Sequence, residues 1–214
     1  MTRGLLVFDL DGTLFYGGDV TSAAVWETAD RARFPRPEAE EIHKYFGRPF
    51  HEFRAWLRAF APGRDIEAAL DDIDRREVEL VPEKGRLFDG VPEMLGELEG
   101  AGYRLAICSN GRHPYVGAVL RSMGIEHFFD PVRIRETEEE YKTLMARDVI
   151  ASVGVKPVVV IGDRKDDVAA AKGNGAFSIG CAYGFGGMDE IGEADLIVNG
   201  PSEIPGAVEV LMGR

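Results

Sequence analysis

Five short apolar runs punctuate the chain, at 5–8, 103–108, 158–161, 177–181 and 196–198. Each is nearly unbroken by polar residues, the pattern of strands buried on both faces of a parallel sheet. Between most of them, apolar positions recur every three or four residues. Val91, Met94, Leu95 and Leu98 form one helical stripe, introduced by Asp89-Gly90 and opened near Pro92. Val116, Val119, Leu120 and Met123 form a second, stopped at Gly124, and Ile204, Val208, Leu211 and Met212 form the last. Strand–helix alternation of this kind predicts an α/β fold, a doubly wound parallel sheet of Rossmann-like type with right-handed crossovers.

One stretch departs from the alternation. Between 19 and 83 no segment reads as a strand, whereas 24–33, 50–60 and the acidic stretch carrying Ile66, Leu70 and Ile73 read as helices. The α/β pattern resumes near Leu87-Phe88-Asp89-Gly90. The expected organisation is therefore a core built from 1–18 and 84–214, with a helical cap at 19–83. Trp26 and Trp56 fall in that cap, where packing is their expected role.

Composition narrows the possible partners. The chain has 214 residues, 45% of them hydrophobic and 29% charged, as expected of a globular protein with one sizeable core. A net charge of −12 argues against nucleic acid, because binding a phosphate backbone needs clustered cations. No run approaches the roughly 20 apolar residues of a membrane span, and the first run ends at Asp9, too early for a signal-peptide core. A cytoplasmic location is the expectation. Cys108 and Cys181 lie inside apolar runs and fit no disulfide or zinc spacing. His43, His51, His113 and His127 have no spacing that implies metal or triad chemistry.

The candidate chemistry sits at the ends of the predicted strands. Phe8-Asp9-Leu10-Asp11-Gly12-Thr13 sets two carboxylates just past the first strand, at the edge where open α/β sheets bind ligands. Residues two apart on an extended chain point the same way. An Asp-Gly turn closing a strand accounts for the same residues. A second acidic group, Gly162-Asp163-Arg164-Lys165-Asp166-Asp167, follows the run at 158–161. Two acidic strand ends in one sheet repel unless a cation lies between them, and carboxylates without His or Cys suit a hard ion such as Mg2+. Ser109-Asn110-Gly111 follows a strand and precedes a helix, as an anion-binding helix start or as a plain N-cap. Lys142 opens a predicted helix over 143–153, a place where a solvated lysine is equally at home.

The order of these features, DxDGT, then Ser109, then Lys142, then GDxxxD, resembles the four motifs of the haloacid dehalogenase-like phosphatases. Text between them, such as Phe88-Asp89-Gly90-Val91-Pro92, and the later Tyr183-Gly184-Phe185-Gly186 resemble the phosphoglycolate phosphatase-like and 5′-nucleotidase-like branch. The resemblance implies a magnesium-dependent phosphatase acting on a small phosphorylated metabolite. It implies Asp9 as a nucleophile that becomes phosphorylated and Asp11 as the general acid–base. Asp9, the Asp11 carbonyl and Asp163 would hold the metal, with Asp167 supporting it or orienting Lys142. Gly12, Thr13, Ser109, Asn110 and Lys142 would form the phosphate-binding group, using the Gly12 and Asn110 amides. Halide-removing members lack an aspartate at the position of Asp11, so its presence favours phosphate monoesters. Phe46-Gly47-Arg48-Pro49 resembles a cap loop that faces the site, which implies that Arg48 contacts the leaving group; a surface arginine beside a turn proline is the alternative. Lys142 is followed by Thr143 where the family often has proline. A phosphosugar mutase on the same scaffold and a phospho-acceptor signalling or binding module are rival readings. A receiver-like module is about one small domain, without a cap-sized insertion. The expected assembly is a monomer or small homo-oligomer.

Overall fold

A computed structural model of the protein describes residues 2–213. Six parallel strands form its sheet: β1 (Leu5–Phe8), β4 (Arg104–Ser109), β5 (Phe129–Ile134), β6 (Val158–Gly162), β7 (Phe177–Cys181) and β8 (Leu196–Val198). Their spatial order is β5-β4-β1-β6-β7-β8, so β1 lies between β4 and β6 and the winding reverses beside it. That reversal opens a crevice at the carboxyl ends of the strands.

The uninterrupted apolar runs are explained by cover on both faces. Leu6 and Phe8 point into one apolar cluster with Leu95, Val119 and Val208, from α5 (Val91–Gly100), α6 (His113–Ser122) and α10 (Ile204–Met212). Leu5 and Val7 point the other way, onto Met145, Val149 and Ala170. These belong to α7 (Lys142–Val153) and α8 (Lys165–Gly173). Period-two alternation within β1 thus divides the core into two halves. Both cysteines are buried and free, Cys108 in β4 and Cys181 in β7.

Residues 18–84 supply four helices and no strand: α1 (Gly18–Ala32), α2 (Ala39–His43), α3 (Phe50–Phe60) and α4 (Ile66–Lys84). Helix α1 begins at Gly18, earlier than its apolar spacing suggests. A two-stranded antiparallel ribbon, β2 (Phe15–Tyr16) with β3 (Arg86–Leu87), joins this segment to the sheet at both ends. Two residues per strand are too few to show an alternation, so the sequence pattern gives no sign of the ribbon. Trp56 stacks on Tyr45 at 5.1 Å between ring centres and packs against Phe53 and Phe60. The Trp26 indole N–H donates to the Pro37 carbonyl at 2.8 Å. Among the described residues no helix is long and apolar enough to cross a membrane.

Strand β1 lies inside the sheet, and Leu6 is fully buried between its neighbours. Replacing Leu6 with Ala leaves a void there and is expected to lower stability by about 2–5 kcal/mol. Chemical denaturation at equilibrium measures this, and a loss within about 0.5 kcal/mol, as at surface sites, would contradict the packing described.

Candidate active site

Asp9 leaves the end of β1, and its amide still donates to the Ile161 carbonyl of β6 at 2.9 Å. The backbone then turns sharply. Gly12 has φ +88°, a conformation that disfavours side chains, and a Cβ there would run into the Asp163 carboxylate. The Gly12 amide donates to the Phe15 carbonyl at 3.0 Å. The expected free phosphate donor is thus engaged in closing this turn. Thr13 is fully buried with no hydrogen-bond partner on its hydroxyl, and its carbonyl accepts from the Tyr183 hydroxyl at 2.8 Å.

Three buried aspartates converge. Asp9, Asp163 and Asp167 each present a carboxylate oxygen within 4.8 Å of the others. Lys142, itself buried, lies between two of them, with Nζ 2.5 Å from Asp9 Oδ1 and 2.6 Å from Asp167 Oδ1. Asp163 Oδ2 accepts the amides of Phe185 (2.8 Å) and Gly186 (3.0 Å). Asp9 Oδ2 and Asp163 Oδ1 are buried without any partner, and Asp167 Oδ1 has only its ion pair with Lys142. An orphaned acceptor pair costs free energy unless something positive satisfies it. An all-oxygen donor set of this kind fits a hard divalent cation.

Burial raises the protonation tendency of all four strand-end aspartates. Asp9 and Asp163 rise together, chiefly because burial penalises their charged forms, with Lys142 opposing at Asp9. Burial likewise carries Asp167 to about 7, against the pull of Lys142. Asp11 is pushed to about 6 by burial, while the hydrogen bond that Tyr115 donates to its Oδ1 at 2.6 Å pulls the other way. The Lys142 ammonium is held above its usual range because Asp167 and Asp9 outweigh the cost of its burial.

The remaining expected residues join this edge in different ways. Ser109 ends β4, and its Oγ accepts the Gly111 amide at 3.0 Å, leaving the hydroxyl proton free to donate. Asn110 bridges the sheet edge and the helical segment, donating through Nδ2 to the Gly47 carbonyl at 2.9 Å. Arg135 donates to Asn110 Oδ1 at 2.7 Å and so fixes its orientation. Arg164 clamps the same loop through the Phe46 carbonyl at 2.6 Å. Arg48 borders the neighbouring cavity, but its guanidinium is bonded to Glu52 at 3.3 Å and to Glu190 at 3.1 Å.

A scan against protein-family models matches residues 4–175 to the haloacid dehalogenase-like hydrolases. The chain belongs to that family. It is 28% identical over 190 residues to a 5′-nucleotidase of Pseudomonas aeruginosa, covering 87% of this chain and 86% of that one. It is 28% identical over 204 residues to a phosphoglycolate phosphatase of Vibrio cholerae, covering 89% of each. A haloacid dehalogenase-like hydrolase from Streptococcus pneumoniae superposes with a TM-score of 0.85 at 22% identity, over 97% of this chain and 100% of the other. At that identity the structural likeness speaks to the fold alone.

Several residues of this hydrolase site have no motif to betray them. Tyr115 and Arg135 act through contacts between segments far apart in sequence. So does Glu77 of α4, which lines the cavity above Asp11 and accepts a hydrogen bond from Thr21. Burial, helped by Asp74 and Asp11 and opposed by the Thr21 bond, raises Glu77 from an ordinary 4.5 to about 8. A carboxyl that binds its proton more tightly when folded stabilises the fold below pH 4.5 and loses that contribution as pH climbs to about 8. Relative to Glu77→Gln, the wild type should therefore lose melting temperature across that window and level off above it. Parallel thermal melts across pH test this, and a constant difference would contradict the burial of Glu77.

Proposed function

We propose that the protein is a magnesium-dependent phosphatase that hydrolyses a small-molecule phosphate monoester through an aspartyl-phosphate on Asp9. The observation that carries this reading is the disposition of Asp9 itself. One oxygen is fixed by Lys142, and the other is buried, unpartnered and adjacent to the acidic cluster.

Asp9, Asp163 and the Asp11 carbonyl would hold the Mg2+, with Asp167 supporting them. When bound, the ion supplies positive charge that lets an anionic carboxylate and an anionic phosphate approach. Asp9 Oδ2 attacks phosphorus in line with the leaving oxygen. The Asp11 carboxyl, held by Tyr115, gives its proton to the departing alkoxide. Asp11 then takes a proton from the water that attacks the acyl phosphate. A carboxyl near pKa 6 serves both steps at neutral pH better than an unperturbed one. The Ser109 hydroxyl, the Asn110 amide and the Lys142 ammonium bind phosphoryl oxygens. Asp167 keeps Lys142 charged and in place.

Residues 19–83 form the cap in this reading. Asn110 and Arg164 fasten its Phe46-Gly47 loop to the core, which encloses the reacting groups and limits their contact with water.

Turnover of a panel of phosphate monoesters with and without Mg2+ tests the proposal. Wild type is expected to release phosphate from at least one substrate only with the ion, and Asp9→Asn from none. Asp11→Asn is expected to lower kcat by about 10²–10⁴-fold. Mg2+-dependent turnover by Asp9→Asn would overturn the assignment of the nucleophile.

A further inference from the structure

Between the cap and the sheet edge lies a cavity of about 160 Å³ that runs from Asp11 to Glu77. A buried cavity of about 150 Å³ accommodates benzene, so the space suits a small leaving group. Tyr45, Phe46, Phe50 and Phe53 contribute aromatic wall.

Charge decides what kind of leaving group fits. Two arginines border the cavity, and each is already committed. Arg48 is bonded to Glu52 and Glu190, and Arg112 is bonded to Asp74 while lying 4.4 Å over the Phe50 ring. No lysine or histidine lines the cavity among the described residues. Against these stand three acids, Asp11, Asp74 and Glu77. Glu77 differs from the other two in kind. Asp11 accepts from Tyr115 and Asp74 is ion-paired, whereas Glu77 accepts from a neutral hydroxyl, Thr21, and forms no ion pair among the described residues. A carboxylate on the leaving group would enter this space facing acids, with every nearby guanidinium already engaged. An ammonium would find a carboxyl without a counter-ion and aromatic faces that attract cations. Burial, with Asp74 and Asp11 nearby, raises the protonation of Glu77 against the pull of Thr21 and Arg112, and an arriving ammonium would return it to the charged form.

Resting on the phosphatase reading above, we propose that the cavity selects a phosphate monoester whose leaving alcohol carries an ammonium group, with Glu77 as the specificity-determining carboxylate. Phosphoethanolamine and 2-phosphoglycolate provide the test, being close in size and opposite in the charge of the leaving group. With Mg2+ present, wild type is expected to favour phosphoethanolamine by at least about tenfold in kcat/KM. Glu77→Gln is expected to bring that ratio toward one, and because the readout is a ratio, any general loss of activity cancels. Inhibition of the wild type by free ethanolamine, stronger than by glycolate, is the expected companion result and needs no variant. A wild-type ratio at or below one, or a ratio unchanged by Glu77→Gln, overturns the proposal. Hydrolysis of para-nitrophenyl phosphate separates the two levels. With that activity present, a failed ratio sinks the ammonium preference alone. If no phosphate ester is hydrolysed at all, the phosphatase reading fails and takes the preference with it.

Discussion

The structure is organised around three buried carboxylates, two of which share one lysine. Asp9, Asp163 and Asp167 meet at the ends of adjacent strands, and Lys142 touches two of them. Arg164 lies 3.8 Å from Asp163, but its guanidinium is bonded to Glu190 and the Phe46 carbonyl. Negative charge therefore exceeds positive charge in a place that water barely reaches. Such an arrangement is unfavourable for folding alone, since buried charge needs a partner. In the proposed function the Mg2+ and the phosphate's own binding groups resolve that conflict. The close packing of backbone against these carboxylates explains the glycines around them. A side chain on Gly12 or Gly184 would strike Asp163, and one on Gly162 would strike Asp167.

A second consequence concerns closure. The Phe46-Gly47 loop is fastened by Asn110 from one strand end and by Arg164 from another. Both anchors stand beside proposed catalytic residues, Ser109 and Asp163. Enclosure of the cavity and alignment of the reacting groups thus draw on one set of contacts. Phe185, whose amide holds Asp163, also packs its ring on Phe46 at 4.7 Å. The Asp163 carboxylate and the loop over it are thus joined through Phe185 as well as through Arg164.

Legibility in the sequence follows the range of the interactions involved. Five of the six sheet strands announce themselves because both faces are covered, leaving runs such as the one at 158–161 with no polar break; the edge strand β5, Phe129–Ile134, is half-exposed and broken by Asp130, Pro131 and Arg133, so it does not. Asp9, Asp11 and Asp163 are readable because each stands at a fixed offset from such a run, whereas Lys142 is readable through its place at a helix start and its order among the other motifs. The β2–β3 ribbon is invisible, being too short for any period. Tyr115, Glu77 and Arg135 are invisible for another reason: each gains its role from a partner tens of residues away. Gly12 shows the limit from the opposite side. Its motif is plain, yet the geometry that consumes its amide depends on Phe15 turning back. Arg48 likewise stands where the cap loop implies, but Glu52 and Glu190 decide what its charge does.

The central claim is that the phosphoryl group rests on Asp9 between the two halves of the reaction. Rapid acid quench of the enzyme during turnover of a phosphorus-labelled ester, followed by peptide mapping, examines this directly. A base-labile label on the peptide containing Asp9, forming and decaying at rates compatible with kcat, is the predicted result. Label on a different residue, or phosphate release in a single turnover with no protein-bound label at any time, would contradict it.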